Sequence, residues 1–470
     1  MTEQTNYRGL AWTAATAFFM LLLDSTILNT ALPAISESLN ESPLEMQMAI
    51  ISYALSVATF IPLTAWLSDR FGSLTLFRFS VVLFVFGSIA CALSSSLTML
   101  VVSRIIQGVG GAFMMPVARL TILRVVPKSE LLPIWNLIAM AGLIGPVMGP
   151  IVGGWLVTHT SWHWIFWVNV PMGLVGLWAS NRFMPNVKGE SKPLDGLGFV
   201  LLAFGLVAFT YGLERLSLSL QEMTPALMII TLGAIVTIGY VYHAKRAENP
   251  LFPLEMFRIR TFRIGLFANL LFRLVSFSVP FLLPIMLQVS FHYSAEMAGW
   301  MLAPLALSSI FVKMLATPIL NRFGYKNTLL AASLITGIST AAMGMLDKDS
   351  SISLAVLVIM SYGAITSLMF TSINTLCVGD LTPENSGTGA TMLSMVQQIG
   401  SGIGVAVAAV ILSLYRQSFG ESTPEQLQQA FSYTFFSTAA ISILLIWSIS
   451  FLHKNDGENL RRQKESVSGH

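Results

Sequence analysis

Apolar residues come in long runs along this chain, separated by short polar breaks. At 1.5 Å per residue, about 20 apolar residues in a helix cross the hydrocarbon core of a bilayer. Fourteen runs qualify: 9–33, 46–68, 75–95, 98–123, 133–158, 162–184, 195–216, 224–244, 261–288, 296–319, 327–347, 352–377, 388–414 and 430–453. The pattern predicts an all-α membrane protein with fourteen transmembrane helices joined by short loops. The longer polar segments are 185–194, 245–260 and the stretch after Leu452.

Composition agrees. The 470 residues are 54% hydrophobic and 10% charged, against about 25% charged in soluble domains. The first run is too long for a secretory h-region, holds an acid and lacks a small-residue cleavage site, so it reads as a retained helix. Cys91 and Cys377 fall inside apolar runs and read as small apolar residues, with no disulfide and no metal role. No Gly-rich nucleotide loop occurs, so ATP hydrolysis is not expected, and neither a metal, a cofactor nor nucleic acid is implied. His159 and His163 straddle an outer loop.

Charge placement orients the chain. Of the 26 Lys and Arg, most fall in the segments that share a side with both termini; Arg215, Lys348 and Arg416 lie on the other side, and Arg104, Arg119, Arg273 and Lys313 within runs. By the positive-inside rule both termini are cytoplasmic. Leu67-Ser68-Asp69-Arg70-Phe71-Gly72 follows the second run, and Leu320-Asn321-Arg322-Phe323-Gly324 follows the tenth. If runs seven and eight are an insert, each copy follows the second helix of a six-helix block. Two related halves around a central cavity are a transporter signature. The expected organisation is an N-terminal six-helix bundle (1–190), two inserted helices (191–250), a pseudo-symmetric C-terminal six-helix bundle (251–455) and a cytoplasmic polar tail (456–470).

Several motifs are specific. They are Leu23-Asp24-Ser25-Thr26-Ile27-Leu28-Asn29-Thr30-Ala31-Leu32-Pro33 in the first run and Ala65 to Gly72 after the second. Leu100, Arg104, Gln107, Gly108 and Gly110 follow in the fourth run, with Gly145 to Gly154 in the fifth. Trp162-His163-Trp164-Ile165-Phe166 and Asn169-Val170-Pro171 lie in the sixth. Over nearly its whole length the chain resembles the major facilitator superfamily, in its fourteen-span drug:proton antiporter branch, and looks close to bacterial exporters of the MdtD type. Ala65 and Ser73 depart from the loop motif, which has a Gly and a base there. The resemblance implies a multi-pass protein of the bacterial inner membrane, monomeric, exchanging protons for small lipophilic or amphipathic compounds. A proton-coupled symporter for a small nutrient is the competing reading.

Asp24 is the carboxylate placed nearest a membrane midplane, about 13 Å below the outer end of its run at 1.5 Å per residue. Inserting such a charge costs roughly 2.5–3.5 kcal/mol, which makes it a functional candidate by default; the plainer alternative is a pair with a buried base that holds helices together. Arg104 lies about 9 Å below the outer end of the fourth run by the same rise, so the two can face each other. A carboxylate's proton affinity depends on the charges beside it, so Asp24 reads as a proton carrier with Arg104 as its modulator. The resemblance implies a proton relay at Arg104; a packing base bonded to backbone carbonyls is the alternative. Asp69, Arg70, Gly72, Arg322 and Gly324 read as a cytoplasmic gate, or as solvated turns. Gly145, Pro146, Gly149, Pro150, Gly153 and Gly154 read as a bend and packing seam, which the resemblance ties to antiport. Asn29, Gln107, Arg273 and Gln288 are cavity candidates. Arg273 either binds an anionic group or pairs with carbonyls freed by Pro280 and Pro284.

Overall fold

The computed structural model describes residues 7–42, 45–127, 130–189, 193–218, 223–419, 423–458 and 460. The predicted boundary at 190/191 and the tail beyond 460 lie outside them. In chain order the first helices are α1 (Tyr7–Leu39), α2 (Gln47–Phe60), α3 (Thr64–Phe71), α4 (Ser73–Ala92) and α5 (Leu97–Val125). They are followed by α6 (Leu131–His159), α7 (Trp164–Trp167), α8 (Asn169–Phe183), α9 (Gly196–Leu218) and α10 (Met223–Ala244). The remainder are α11 (Arg260–Ile285), α12 (Ala295–Phe323), α13 (Tyr325–Met343), α14 (Ile352–Gly379), α15 (Pro383–Phe419) and α16 (Pro424–Ser450). Each predicted apolar run coincides with helix.

Two runs are broken. Pro62, which has no N–H to donate, lies in a 3-10 turn over Ile61–Leu63 that separates α2 from α3. The run 162–184 divides at Val168 into α7 and α8. A π-helical turn, Met286–Ser290, follows Pro284 at the end of α11. Among the described residues twelve helical segments are long and apolar enough to cross a membrane. α8, with 15 residues, and α13 are not among them. α13 is rich in hydroxyls: Ser333, Thr336 and Thr340 donate to carbonyls one turn back at 2.7–2.8 Å. That satisfies them inside the helix where no water reaches.

The chain forms two compact units, Met1–Gly196 with Tyr293–Trp300, and Leu197–His292 with Met301–His470. The first is built on α1 to α8, with Leu10, Met20, Phe77, Phe84, Phe113 and Met114 in its core. In the second, one cluster gathers Phe272, Leu329, Met369 and Leu445. Another joins Tyr240 of α10 to Phe252, Met256, Phe262 and Met392, with Leu201, Leu202 and Leu206 of α9 packed against it. So α9 and α10 pack with the second unit. Bulky apolar side chains also point outward, Trp178 at 65% and Met314 at 76% exposure among them, as helices bathed in lipid require.

The repeated loops share a backbone. Gly72 has φ 95° between α3 and α4, and Gly324 has φ 75° between α12 and α13. Only glycine takes that region without strain. Ser73 then opens α4 by donating its N–H to the Val187 carbonyl at 2.9 Å and accepting at Oγ from the Val187 N–H at 3.0 Å. The residue that departs from the motif thus holds the segment leaving α8.

Candidate functional site

The buried polar centre of the first unit is assembled from five helices. Asp24 on α1 and Arg104 on α5 are each 1% exposed. Arg104 Nη1 donates to Asp24 Oδ2 at 2.8 Å. The other carboxylate oxygen accepts from Gln107 Nε2 at 2.8 Å and from Asn169 Nδ2, on α8, at 2.7 Å. Gln107 Oε1 accepts from Arg104 Nη1 at 2.6 Å, which fixes the orientation of its amide. Ser88 on α4 accepts from Gln107 at 2.7 Å and from Asn169 at 3.3 Å, and donates to the Phe84 carbonyl. Gly87 makes this reach feasible: a Cβ there would sit 2.5 Å from the Gln107 nitrogen.

Arg104 has further support. Its Nε donates to the Ala49 carbonyl on α2 at 3.0 Å, and its guanidinium lies 4.1 Å from the centre of the Tyr53 ring and 6.0 Å from that of Phe166. Cation–ring attraction strengthens when both groups are dry. One acceptor is left over, Asn169 Oδ1. A buried charge pair is retained at a desolvation cost that apolar residues of similar volume avoid.

The glycine run lies against the helix that carries Asp24. α6 is continuous through Pro146 and Pro150. A Cβ at Gly145 would sit 2.9 Å from Leu22 Cβ, one at Gly149 would strike Thr26 Oγ1, and one at Gly153 would lie 2.6 Å from the Ile27 carbonyl oxygen. Spaced by four, these glycines form one stripe and let α1 and α6 approach closely. Gly154 faces away, toward the Ala295 carbonyl within the same unit. On α5, Gly108 packs on Tyr53 and Ser56 of α2, and Gly110 on Ser80 and Phe84 of α4.

The loop residues divide. Asp69 pairs with Arg124 of α5 at 2.7 Å, with Gly189 packed against its carboxylate. Arg70 is exposed and lies over Trp66 at 5.2 Å and Phe71 at 5.8 Å. In the second unit Arg322 lies over Phe323 at 5.4 Å, so each loop arginine stacks on the phenylalanine beside it. Lys326 donates to the Ser450 and Leu452 carbonyls, and Arg260 pairs with Asp456.

The cavity candidates are scattered. Gln107 is fully buried inside the Asp24 network. Asn29 is 8% exposed on α1. Gln288 sits in the π-turn, donating to the Pro284 carbonyl at 3.2 Å. Arg273 of α11 is partly exposed and does not cap the carbonyls near Pro280; it lies against Phe277 at 5.2 Å and Phe370 at 4.9 Å. Reasoning from sequence did not single out Asn169, Ser88 or Tyr53 as partners of the pair. The signal for Asn169 was present, a carboxamide at the first position of an apolar helix inside the Asn169-Val170-Pro171 motif.

A two-unit helical bundle with lipid-facing surfaces and a buried ion pair in one unit is the architecture of a membrane transporter rather than of an enzyme. The profile of the Major Facilitator Superfamily matches residues 14–405 and 265–468, and the chain belongs to that superfamily. It is 54% identical over 98% of its length to a "Probable transport protein HsrA" of Haemophilus influenzae, covering 99% of that protein. It is 38% identical to a "Putative multidrug resistance protein MdtD" of Pectobacterium atrosepticum, covering 94% of this chain and 95% of the relative. Among solved structures, a POT family transporter in complex with 5-aminolevulinic acid aligns with a TM-score of 0.69 at 14% identity, covering 96% of each chain. A D-xylose-proton symporter aligns with a TM-score of 0.67 at 13% identity, over 96% of this chain and 99% of that one. These two likenesses bear on the fold alone.

Proposed function

We propose that the protein is a proton-coupled antiporter that exports lipophilic or amphipathic compounds across the bacterial inner membrane by alternating access. The observation that carries the reading is the buried Asp24–Arg104 pair, closed at 2.8 Å and braced by Gln107 and Asn169. Protonating Asp24 removes the charge that Arg104 is paired with. Arg104 then rests on the Ala49 carbonyl, Gln107 Oε1 and the Tyr53 ring, all already in contact. Proton uptake and rearrangement of the α1–α5 contact are therefore one event, and the glycine stripe of α6 lies directly behind α1. The names of the relatives support a drug-exporting role.

In this reading the chain has fourteen spans in a six–two–six order, with α7–α8 and α13 as the two spans of lower hydropathy, and both termini cytoplasmic. The loops at Asp69-Arg70 and Arg322-Gly324 latch the cytoplasmic ends, and the protein works as a monomer. Purified protein in proteoliposomes tests it. An imposed proton gradient must drive a lipophilic dye against the proton flow; movement of dye with the protons would favour a symporter.

A further inference from the structure

The second unit holds a charge that the proton-coupling centre does not use. Arg273 sits thirteen residues into α11, roughly 20 Å along the helix at 1.5 Å per residue. Its Nε is buried with no hydrogen-bond partner, and its guanidinium lies against the rings of Phe277 and Phe370. Charged side chains inside spans are ordinarily paired or turned toward a water-filled path. Here the guanidinium carbon lies 5.2 Å and 4.9 Å from the two ring centres, and the buried, unpartnered Nε is one of the N–H donors with which an arginine grips a carboxylate in a fork.

A polar layer lies one helical turn away on the same three helices. Asn269, four residues before Arg273 on α11, donates to Asn374 Oδ1 at 2.6 Å. Asn374 is four residues after Phe370 on α14. Gln397, three residues before Gly400 on α15, donates to the same oxygen at 2.9 Å. The side-chain Oδ1 of Asn269 is buried without a partner. Gly400 packs on the Arg273 stem, where a Cβ would sit 2.8 Å from Arg273 Cβ. The arrangement is a fixed cation framed by apolar rings, with carboxamides beneath it.

We propose that Arg273 and this carboxamide layer form a cargo subsite for amphipathic anions, with the anionic group on the guanidinium edge and the apolar body against Phe277 and Phe370. The proposal rests on the export reading for its biological use, but binding to the site needs no proton gradient. An isolated fixed cation selects against cationic cargo and for a carboxylate or sulfonate.

The test is equilibrium binding of radiolabelled cholate, a rigid apolar body with one carboxylate, to the full-length protein in nanodiscs of zwitterionic lipid. Empty nanodiscs are subtracted, and cholate methyl ester is the uncharged comparator. Cholate should bind at least tenfold more tightly than the ester. Arg273→Gln should erase the difference while ester binding stays. If Arg273→Gln does not fold, Arg273→Lys decides, since it keeps the charge but loses the fork; the preference should shrink several-fold without vanishing. Equal binding of acid and ester, no saturable binding of either, or a preference unchanged in the Arg273 variants would overturn the proposal. So would loss of cholate binding when phosphatidylglycerol is added, which would assign the cation to lipid headgroups. Failure of proton-driven export with cholate preference intact would sink the antiport reading and leave the subsite standing.

Discussion

Replacing Arg104 by Met leaves the Asp24 carboxylate fully buried with only Gln107 and Asn169 to solvate it. Breaking a buried pair from one side costs about 3–5 kcal/mol, and Asp24 and Arg104 at 1% exposure receive no relief from solvent. Asp24→Asn is milder. It keeps an acceptor near Arg104, which also retains the Ala49 carbonyl at 3.0 Å, Gln107 Oε1 at 2.6 Å and the Tyr53 ring at 4.1 Å. Its cost should be about 1.5–3 kcal/mol, the net value of a hydrogen bond to a charged group. The double variant removes both charges, so its loss should fall short of the sum of the single losses by about 2 kcal/mol, within the range found for residues in contact. Chemical unfolding of the purified protein in detergent, followed by tryptophan fluorescence, measures all three. Losses that add to within about 0.5 kcal/mol, the behaviour of independent sites, would refute the claim that the two residues are energetically one unit.

Three further outcomes are expected. Gly149→Ala drives a methyl into Thr26 Oγ1 and should cost about 1–3 kcal/mol by overpacking; Thr26→Ala in the same chain removes that oxygen but leaves Cβ at 2.8 Å, so it should restore only part of the loss, and a melting temperature unmoved by Gly149→Ala would contradict the seam. Asn169→Leu removes the 2.7 Å donor to Asp24 Oδ1 and should lower stability by about 1–3 kcal/mol, the cost of leaving a buried group short of a partner, read as a fall in melting temperature. His163, stacked 3.7 Å from Trp162, has its pKa lowered by burial. The folded ring resists protonation, so its contribution to stability is present above the free value of about 6.5 and is lost as pH falls through that value toward the folded one. An NMR titration midpoint below about 6.5, rising in Trp162→Ala, is the expected result, and a midpoint at or above the free value is the contrary one.

Position along a helix axis was readable; rotation about it was not. The rise per residue placed Asp24 and Arg104 at compatible depths, and they meet. The glycines and prolines of 145–154 read as a bend and packing seam; α6 runs on as one helix through both prolines, and Gly145, Gly149 and Gly153 pack on α1. These spans are apolar nearly all round, however, so they carry little periodic signal for which face meets which neighbour. That is why Asn169 was not recognised as a partner of Asp24, nor Arg124 as the partner of Asp69. It is also why Gln107 read as a cavity residue when it lies within the ion-pair network. The rings flanking Arg273 come from its own helix and from α14, and only tertiary packing brings the second to it. Ser73 carried no charge to draw notice, and its bonds to Val187 depend on the path of the segment after α8.

The central claim is that Asp24 carries the proton exchanged for cargo. Asp24→Asn, reconstituted in proteoliposomes, should lose net dye export driven by a proton gradient while retaining dye-for-dye exchange without one. Proton-driven export at the unaltered rate by Asp24→Asn would contradict the account.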